Sequence, residues 1–374
     1  MKGPIGIIRR APKRTALALL LTVAAVAGVV VWPSFAGHRG PPQKDMAIDA
    51  ATRKAVVDTL IADLDTYYVY PDKAKQFDAY LRSRQVSGAY ESVTSAEKFA
   101  DLLTSDLQSI GKDGHLEVRY GEDGFPELGK DGKPSLESQA HDLADEKRHN
   151  YGVETVGRLQ CNIGYLELKS FAEPDRVKDR FAAAMTLLGD TRALIIDLRR
   201  NHGGEPESVA LFASYLFDTR THLNDIYYRE TDRTTPMWTS DTVDGPRYDS
   251  ARKVYLVTSN DTFSAGEDFS YALKNLKRAT LVGETTGGGA HPGEPRRLAE
   301  HFAAFVPSGR SISPITQTDW EGVGVSPDIQ SSAKNALDAA YMLALKDALA
   351  VEKDPKIKEA LTGCSENGVR DTFH

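Results

Sequence analysis

The chain has 374 residues, 46 of them Lys or Arg and 53 Asp or Glu, with a net charge of -7 at pH 7. That acidic balance, without a dense basic run after the first 14 residues, sets aside nucleic acid and anionic membrane surfaces as partners. The length allows a large core and two unequal domains, and no internal repeat or low-complexity block interrupts it.

Residues 1–36 have the order of an export signal. Lys2, Arg9, Arg10, Lys13 and Arg14 precede an apolar run from Thr15 to Trp32, and Pro33, Ser34, Phe35 and Ala36 follow. Ser34 and Ala36 are small residues at the minus-three and minus-one positions of a cleavage site, so a mature chain is expected to start near Gly37. The competing reading is an uncleaved membrane tether through residues 15–32, since about 18 apolar residues reach the lower limit for a span. Either way the remainder is expected in the periplasm or outside the cell, and cleavage takes the net charge to -12.

From Ala51 to Ile110 the pattern is helical, and residues 47–112 read as a small N-terminal bundle. Val56, Val57, Leu60, Ile61 and Leu64 share one face of a first helix. Pro71 opens a second, which carries Phe77, Tyr80 and Leu81. A third is predicted from Thr94, where Thr94 and Glu97 have capping-box spacing, through Phe99, Leu102, Leu103 and Leu107.

Residues 121–150 are rich in Gly, Asp, Lys and Glu and read as an exposed excursion within a core spanning 113–352. From Tyr151 onward strand-length apolar runs alternate with helical stretches. Strands are predicted at Ile163 to Leu168, Ala193 to Leu198, Val254 to Thr258 and Thr280 to Val282. Helices fit Pro174 to Leu188, Glu207 to Phe217, Ala265 to Leu276 and Ala333 to Ala350. This alternation argues for an α/β fold with a buried sheet. The stretch 353–374 reads as a mobile tail. The two cysteines, Cys161 and Cys364, have no metal or redox spacing, which leaves a long-range disulfide or two free thiols.

Five segments carry chemistry. Ser264 lies where the strand ending at Thr258 gives way to a helix, beside N–H groups that have no intrahelical partner. It reads either as a nucleophile or simply as a helix N-cap. Asp197-Leu198-Arg199-Arg200-Asn201-His202-Gly203-Gly204 ends a buried strand, and paired glycines can turn backbone N–H groups toward one point. Asp113-Gly114-His115 offers an imidazole poised to take a proton near neutral pH. Gly283-Glu284-Thr285-Thr286-Gly287-Gly288-Gly289-Ala290-His291 lacks the spacing of a phosphate loop and reads as a close approach to substrate or backbone. Glu321, before Gly322-Val323-Gly324-Val325, offers a carboxylate to orient a histidine.

In this order the segments Asp197 to Gly204, Thr262-Phe263-Ser264-Ala265-Gly266-Glu267, Gly283 to Ala290 and Glu321 to Asp328 resemble the superfamily of C-terminal processing (tail-specific) proteases and interphotoreceptor retinoid-binding protein. The resemblance implies a ClpP/crotonase-like αβ core and attack of a serine on a peptide carbonyl. Two departures refine it. The lysine base of tail-specific proteases falls near Gly289, where this chain has no lysine, and about 30 polar residues after His115 are too few for the inserted PDZ domain. The chain therefore resembles the branch of the retinoid-binding protein and the tricorn core. In its peptidases a histidine in the region of His115 serves as base and a glutamate matching Glu321 supports it.

The expected mechanism has Ser264 attack while His115 takes its proton and Glu321 holds the imidazole, directly or through another side chain. Gly203, Gly204 and Ala265 are the expected oxyanion donors, and His291 is the rival base. No metal or organic cofactor is implied, and the partner is a peptide or protein substrate. The alternatives are a non-catalytic protein binding a hydrophobic, retinoid-like molecule and a scaffold for protein partners.

Overall fold

Asp49 starts the first helix by accepting the Thr52 N–H at 2.7 Å, which satisfies one of the donors a helix start leaves open. In the computed structural model, residues 43–127 and 135–369 are described. The expected export segment, 1–36, lies outside them. Helices α1 (Ala50–Tyr67), α2 (Pro71–Val86) and α3 (Ala96–Gly111) follow the predicted faces. The cap of α3 is Ser95, whose hydroxyl accepts the Lys98 N–H, and not Thr94. Ile48 N–H donates to the Thr94 carbonyl at 2.8 Å and holds residue 94 in an extended link to the N-terminal segment, so the helix begins one residue later than predicted.

The bundle does not close on itself. Its buried face is completed by Val118 and Tyr120 of β1 (Glu117–Tyr120) and by Leu298, Phe302, Ala304 and Val306 from a later hairpin. Within the expected excursion, α4 (Leu136–Arg148) is mostly exposed, with Glu146 buried under Arg176 at 2.9 Å.

The remaining elements follow in order as β2 (Val153–Leu159), β3 (Ile163–Leu168), α5 (Pro174–Leu188), β4 (Ala193–Asp197), α6 (Pro206–Ala213), β5 (His222–Tyr228), β6 (Arg233–Trp238), β7 (Val254–Thr258), α7 (Ala265–Asn275), β8 (Thr280–Gly283), β9 (Gly293–Ala299), β10 (Phe302–Pro307), β11 (Gly309–Ile312), β12 (Ile329–Gln330), α8 (Ala333–Val351) and α9 (Pro355–Asn367). The main sheet has the order β12-β8-β7-β4-β3-β2, parallel except for β2. Smaller sheets are β1-β10-β9 and β11-β5-β6.

Alternation along the central strands sends successive side chains to opposite faces. Leu194, Ile196, Val254 and Leu256 join the core under α5, α6 and α7, whereas Ala193, Ile195, Tyr255 and Val257 pack beneath α8. The fold is thus mixed α/β with a helical N-terminal region and a buried sheet. The expected mobile tail instead carries a helix over Pro355–Asn367. Helix α9 buries Leu361, and Cys364 forms a disulfide with Cys161. No described helix is long and apolar enough to cross a membrane.

Candidate active site

Three of the five chemical segments meet because β4, β7 and β8 run parallel, with Asp197 beside Val257 and Thr258 beside Gly283. Their following loops leave from the same end of the sheet, where ligands commonly bind in open α/β folds. Cross-links hold the loops together. Phe263 N–H donates to the Asn201 carbonyl at 2.9 Å, the Thr262 hydroxyl to Leu198 at 2.8 Å and Gly287 N–H to Thr262 at 2.9 Å. Arg199, paired with Asp197, pins the end of β4 and donates to the Ala333 carbonyl at 2.8 Å.

Ser264 immediately precedes α7 with φ 54° and ψ -120°. That backbone region is unfavourable for any residue with a Cβ and persists only where the surroundings impose it. An ordinary cap takes extended backbone angles, so the simple N-cap reading does not account for this turn. Glycine makes room for it. A Cβ on Gly203 would come within 2.8 Å of the Ser264 Cβ, and one on Gly266 within 2.6 Å of Asn201 Oδ1.

The three expected oxyanion donors divide. Gly203 N–H is already given to Asn201 Oδ1 at 3.0 Å, so this residue supplies space and not a donor. Phe171 N–H donates to the Gly203 carbonyl and Glu205 N–H to the Phe171 carbonyl. This parallel bridge leaves the intervening Gly204 N–H directed away from Phe171. Ala265 N–H opens α7 and has no intrahelical acceptor.

His115 and His291 lie in different environments, and Glu321 stands with the second. The His115 ring packs 4.6 Å from Phe263 and 5.4 Å from Phe305, centre to centre. Its Nδ1 has no hydrogen-bond partner among the described residues, and burial pushes its pKa down to about 4. His291 Nδ1 contacts Asp113 Oδ2 at 2.7 Å and Glu321 Oε2 at 3.4 Å, while its Nε2 reaches the Tyr70 hydroxyl at 3.3 Å. Burial works against the His291 imidazolium, but the bond to Asp113 and the two carboxylate charges outweigh it and raise its pKa. Glu321 is pushed up to about 7, by burial first and by Asp113 second. Glu321 accepts N–H groups from Gly114 at 3.2 Å and Ala290 at 2.6 Å, so it meets the backbone beside His115 instead of its ring. Among the described residues no hydrogen bond joins Ser264 to either histidine.

Asp113, Phe263 and Glu267 were not singled out from sequence. Asp113 Oδ1 accepts the His115 N–H at 3.1 Å, and its other oxygen receives the Tyr68 hydroxyl at 3.1 Å in addition to His291. Phe263 explains the neighbouring glycines, since a Cβ at Gly289, Gly287 or Gly114 would stand 2.2, 2.8 or 3.2 Å from its ring. The same Cβ at Gly289 would stand 2.7 Å from His115 Cε1. His115 and Phe263 thus fill the space into which a side chain at 289 would project. The segment Thr262-Phe263-Ser264 held the signal for Phe263 as an aromatic beside the candidate nucleophile.

Asp113, His291 and Glu321 place ligand-type atoms within 4.8 Å of one another and are the residues that could hold a metal ion. Their donors and acceptors are matched to each other and to backbone N–H groups, and no metal is assigned to them.

Comparison with known proteins agrees with the motif order. The family model of peptidase family S41 matches residues 162–331, and that of the N-terminal domain of S41 peptidases in eukaryotic IRBP matches 48–150. Together they span nearly three quarters of the chain, which belongs to peptidase family S41, a family of serine-type peptidases. Carboxyl-terminal-processing peptidase 2 of Arabidopsis thaliana, a chloroplastic protein, is 29% identical over 181 residues, 46% of this chain and 32% of that one. The C-terminal processing peptidase of Tetradesmus obliquus is 26% identical over 182 residues, 46% of this chain and 36% of that one. The chain thus spans about a third of the length of these curated relatives. Among solved structures, mature CPAF complexed with lactacystin is similar with a TM-score of 0.53 at 12% identity, covering 84% of this chain and 100% of that one. A lipoprotein from Streptococcus agalactiae gives 0.52 at 15% identity, covering 83% and 99%. At these identities the likeness is one of fold.

Proposed function

We propose that this chain is an exported serine peptidase that hydrolyses peptide bonds with Ser264 as nucleophile and His115 as base. The observation that carries the reading is the turn at Ser264, with φ 54° and ψ -120° immediately before α7, packed against Gly203 in the loop that follows β4. Such a strained turn exposes a nucleophile in serine hydrolases, and the N–H groups of Gly204 and Ala265 are the donors left to stabilise an oxyanion beside it.

Ser264 Oγ bonds to the substrate carbonyl carbon as its proton passes to His115. The oxyanion forms against Gly204 and Ala265, and collapse breaks the C–N bond as His115 returns the proton to the departing amine. Water then repeats the sequence on the acyl-enzyme. His115 is favoured over His291 because a base must be unprotonated. Burial favours the neutral form of His115, whereas the contact with Asp113 raises the pKa of His291 and favours its protonated form. The position of His115, against the space that a lysine at 289 would take, supports the same choice. Catalytic hydrogen bonds are often unmade in the free enzyme and tighten with substrate. Glu321 and Asp113 act by fixing the 113–115 turn through the backbone of Gly114 and His115.

Export is supported by the basic and apolar order of residues 1–36 and by the Cys161–Cys364 disulfide, which suits an oxidising compartment. Expression of the full chain in a bacterium followed by fractionation tests this. Recovery in the periplasm or medium is expected, and retention in the cytoplasm contradicts it. The chemistry is tested by cleavage of casein with the wild type and Ser264→Ala. Activity in the wild type alone supports the reading, and equal activity in both rejects it.

A further inference from the structure

Glu267 is fully buried one turn into α7, and its carboxylate receives four donors from two chain segments. Ser264 N–H donates at 3.0 Å and Gly289 N–H at 2.8 Å to Oε2; Gly288 N–H at 2.7 Å and the Thr286 hydroxyl donate to Oε1. A glutamate in a first turn commonly reaches back to its own cap residue. That habit accounts for the bond to Ser264 and for none of the other three. No lysine, arginine or histidine forms an ion pair with Glu267 among the described residues.

The arrangement extends in both directions. Thr286 Oγ1 also accepts the Val325 N–H at 2.7 Å, which ties in the loop that follows Glu321. Gly289, on the opposite side of the carboxylate, lies against Phe263 and His115. Glu267 therefore joins the peptide plane of the nucleophile to the loop that backs the base. A backbone as unfavourable as that of Ser264 requires such over-determination. Burial pushes the pKa of Glu267 up to about 7, but all four partners are donors and favour its acceptor-only carboxylate, whereas an isosteric amide turns an NH2 group toward donors.

We infer that Glu267 is a positioning residue of this reaction, holding the Ser264 turn in register with the glycine-rich loop through an acceptor for four convergent donors. The inference rests on the serine-peptidase reading above and assigns Glu267 no contact with substrate.

The test compares wild type, Glu267→Gln, Thr286→Val and Thr286→Ser in their reaction with an alkyl fluorophosphonate over a range of probe concentrations. This separates the maximal labelling rate from the half-saturating concentration without knowledge of the natural substrate. Glu267→Gln is expected to lower the maximal rate by about 100-fold, with half-saturation within about threefold of wild type. Thr286→Val removes one donor and is expected to lose about tenfold, and Thr286→Ser, which keeps the hydroxyl, to recover it. A folded Glu267→Gln that labels at the wild-type rate overturns the inference. So does Thr286→Ser labelling no faster than Thr286→Val, because the methyl group and not the hydroxyl would then matter. If Glu267→Gln does not fold, the Thr286 pair decides. Failure of the wild type itself to label rejects the underlying peptidase reading, a result distinct from equal labelling of wild type and variants.

Discussion

A methyl group on Gly203 would stand 2.8 Å from the Cβ of Ser264 and 3.1 Å from its Oγ. Gly203 also has φ 110°, which a side chain rarely adopts. Gly203→Ala is therefore expected to displace Ser264 without unpacking the sheet and, on the proposed mechanism, to lower the rate of casein cleavage by about 100-fold or more. Circular dichroism should remain that of the wild type. A folded variant with full activity would remove this contact from the account.

His115 and His291 should separate cleanly. Loss of a general base costs about 10²- to 10⁴-fold, the range expected for His115→Ala in peptide cleavage. His291→Ala leaves the buried Asp113 and Glu321 without their imidazole partner, and its main effect is expected in stability, about 3–5 kcal/mol by denaturant unfolding. Full activity in His115→Ala beside a large loss in a folded His291→Ala reverses the assignment.

Three of the motifs were legible because each follows a strand, β4, β7 or β8, where an apolar run stops and glycines and polar residues begin. Hydrophobic periodicity also located α1, α5, β3 and β7 within a residue or two. What sequence could not supply was distance. Asp113 meets His291 across 178 positions, and nothing local indicates that Glu321 would stand beside His291 instead of the His115 ring. The amide of Gly203 was likewise taken up by Asn201, a partner two residues away whose direction depends on the fold. The C-terminal stretch misleads because its polar composition hides the one buried leucine, Leu361, and the cysteine that anchor it.

Stability should fall as the Glu321 cluster loses protons. Glu321 keeps its proton up to about 7 when folded, against 4.5 ordinarily, so the folded state binds the extra proton between those values and is destabilised as pH rises through them. His291 continues the trend, since its raised pKa gives stability complete below 6.5 and lost as pH rises through the folded value. Asp113, whose pKa is lowered, gives stability present above 3.8 and lost only as pH falls through its folded value. His115 opposes in part, because its depressed pKa favours the folded state as pH rises from about 4 to 6.5. Glu321→Gln removes the first contribution. Its thermal midpoint is expected to decline less than that of the wild type between about pH 5 and about pH 7, and an equal or steeper decline contradicts the assignment.

The disulfide joins residues 203 apart, and its loss frees a long loop in the unfolded chain. Replacing Cys161 and Cys364 together by serine is expected to cost about 2–5 kcal/mol of stability. Because α9 packs with α8 on the sheet face opposite α7, fluorophosphonate labelling of Ser264 should stay within about twofold of wild type. A large fall in labelling with the fold intact would connect the C-terminal helix to the site.

The central claim is that Ser264 is a working nucleophile. It is tested most directly by treating the wild type and Ser264→Ala with a fluorophosphonate and locating the adduct by peptide mass spectrometry. The account predicts one phosphonylated residue, Ser264, in the wild type and none in the variant. A wild type that remains unlabelled, or an adduct on another serine that persists in Ser264→Ala, would contradict it.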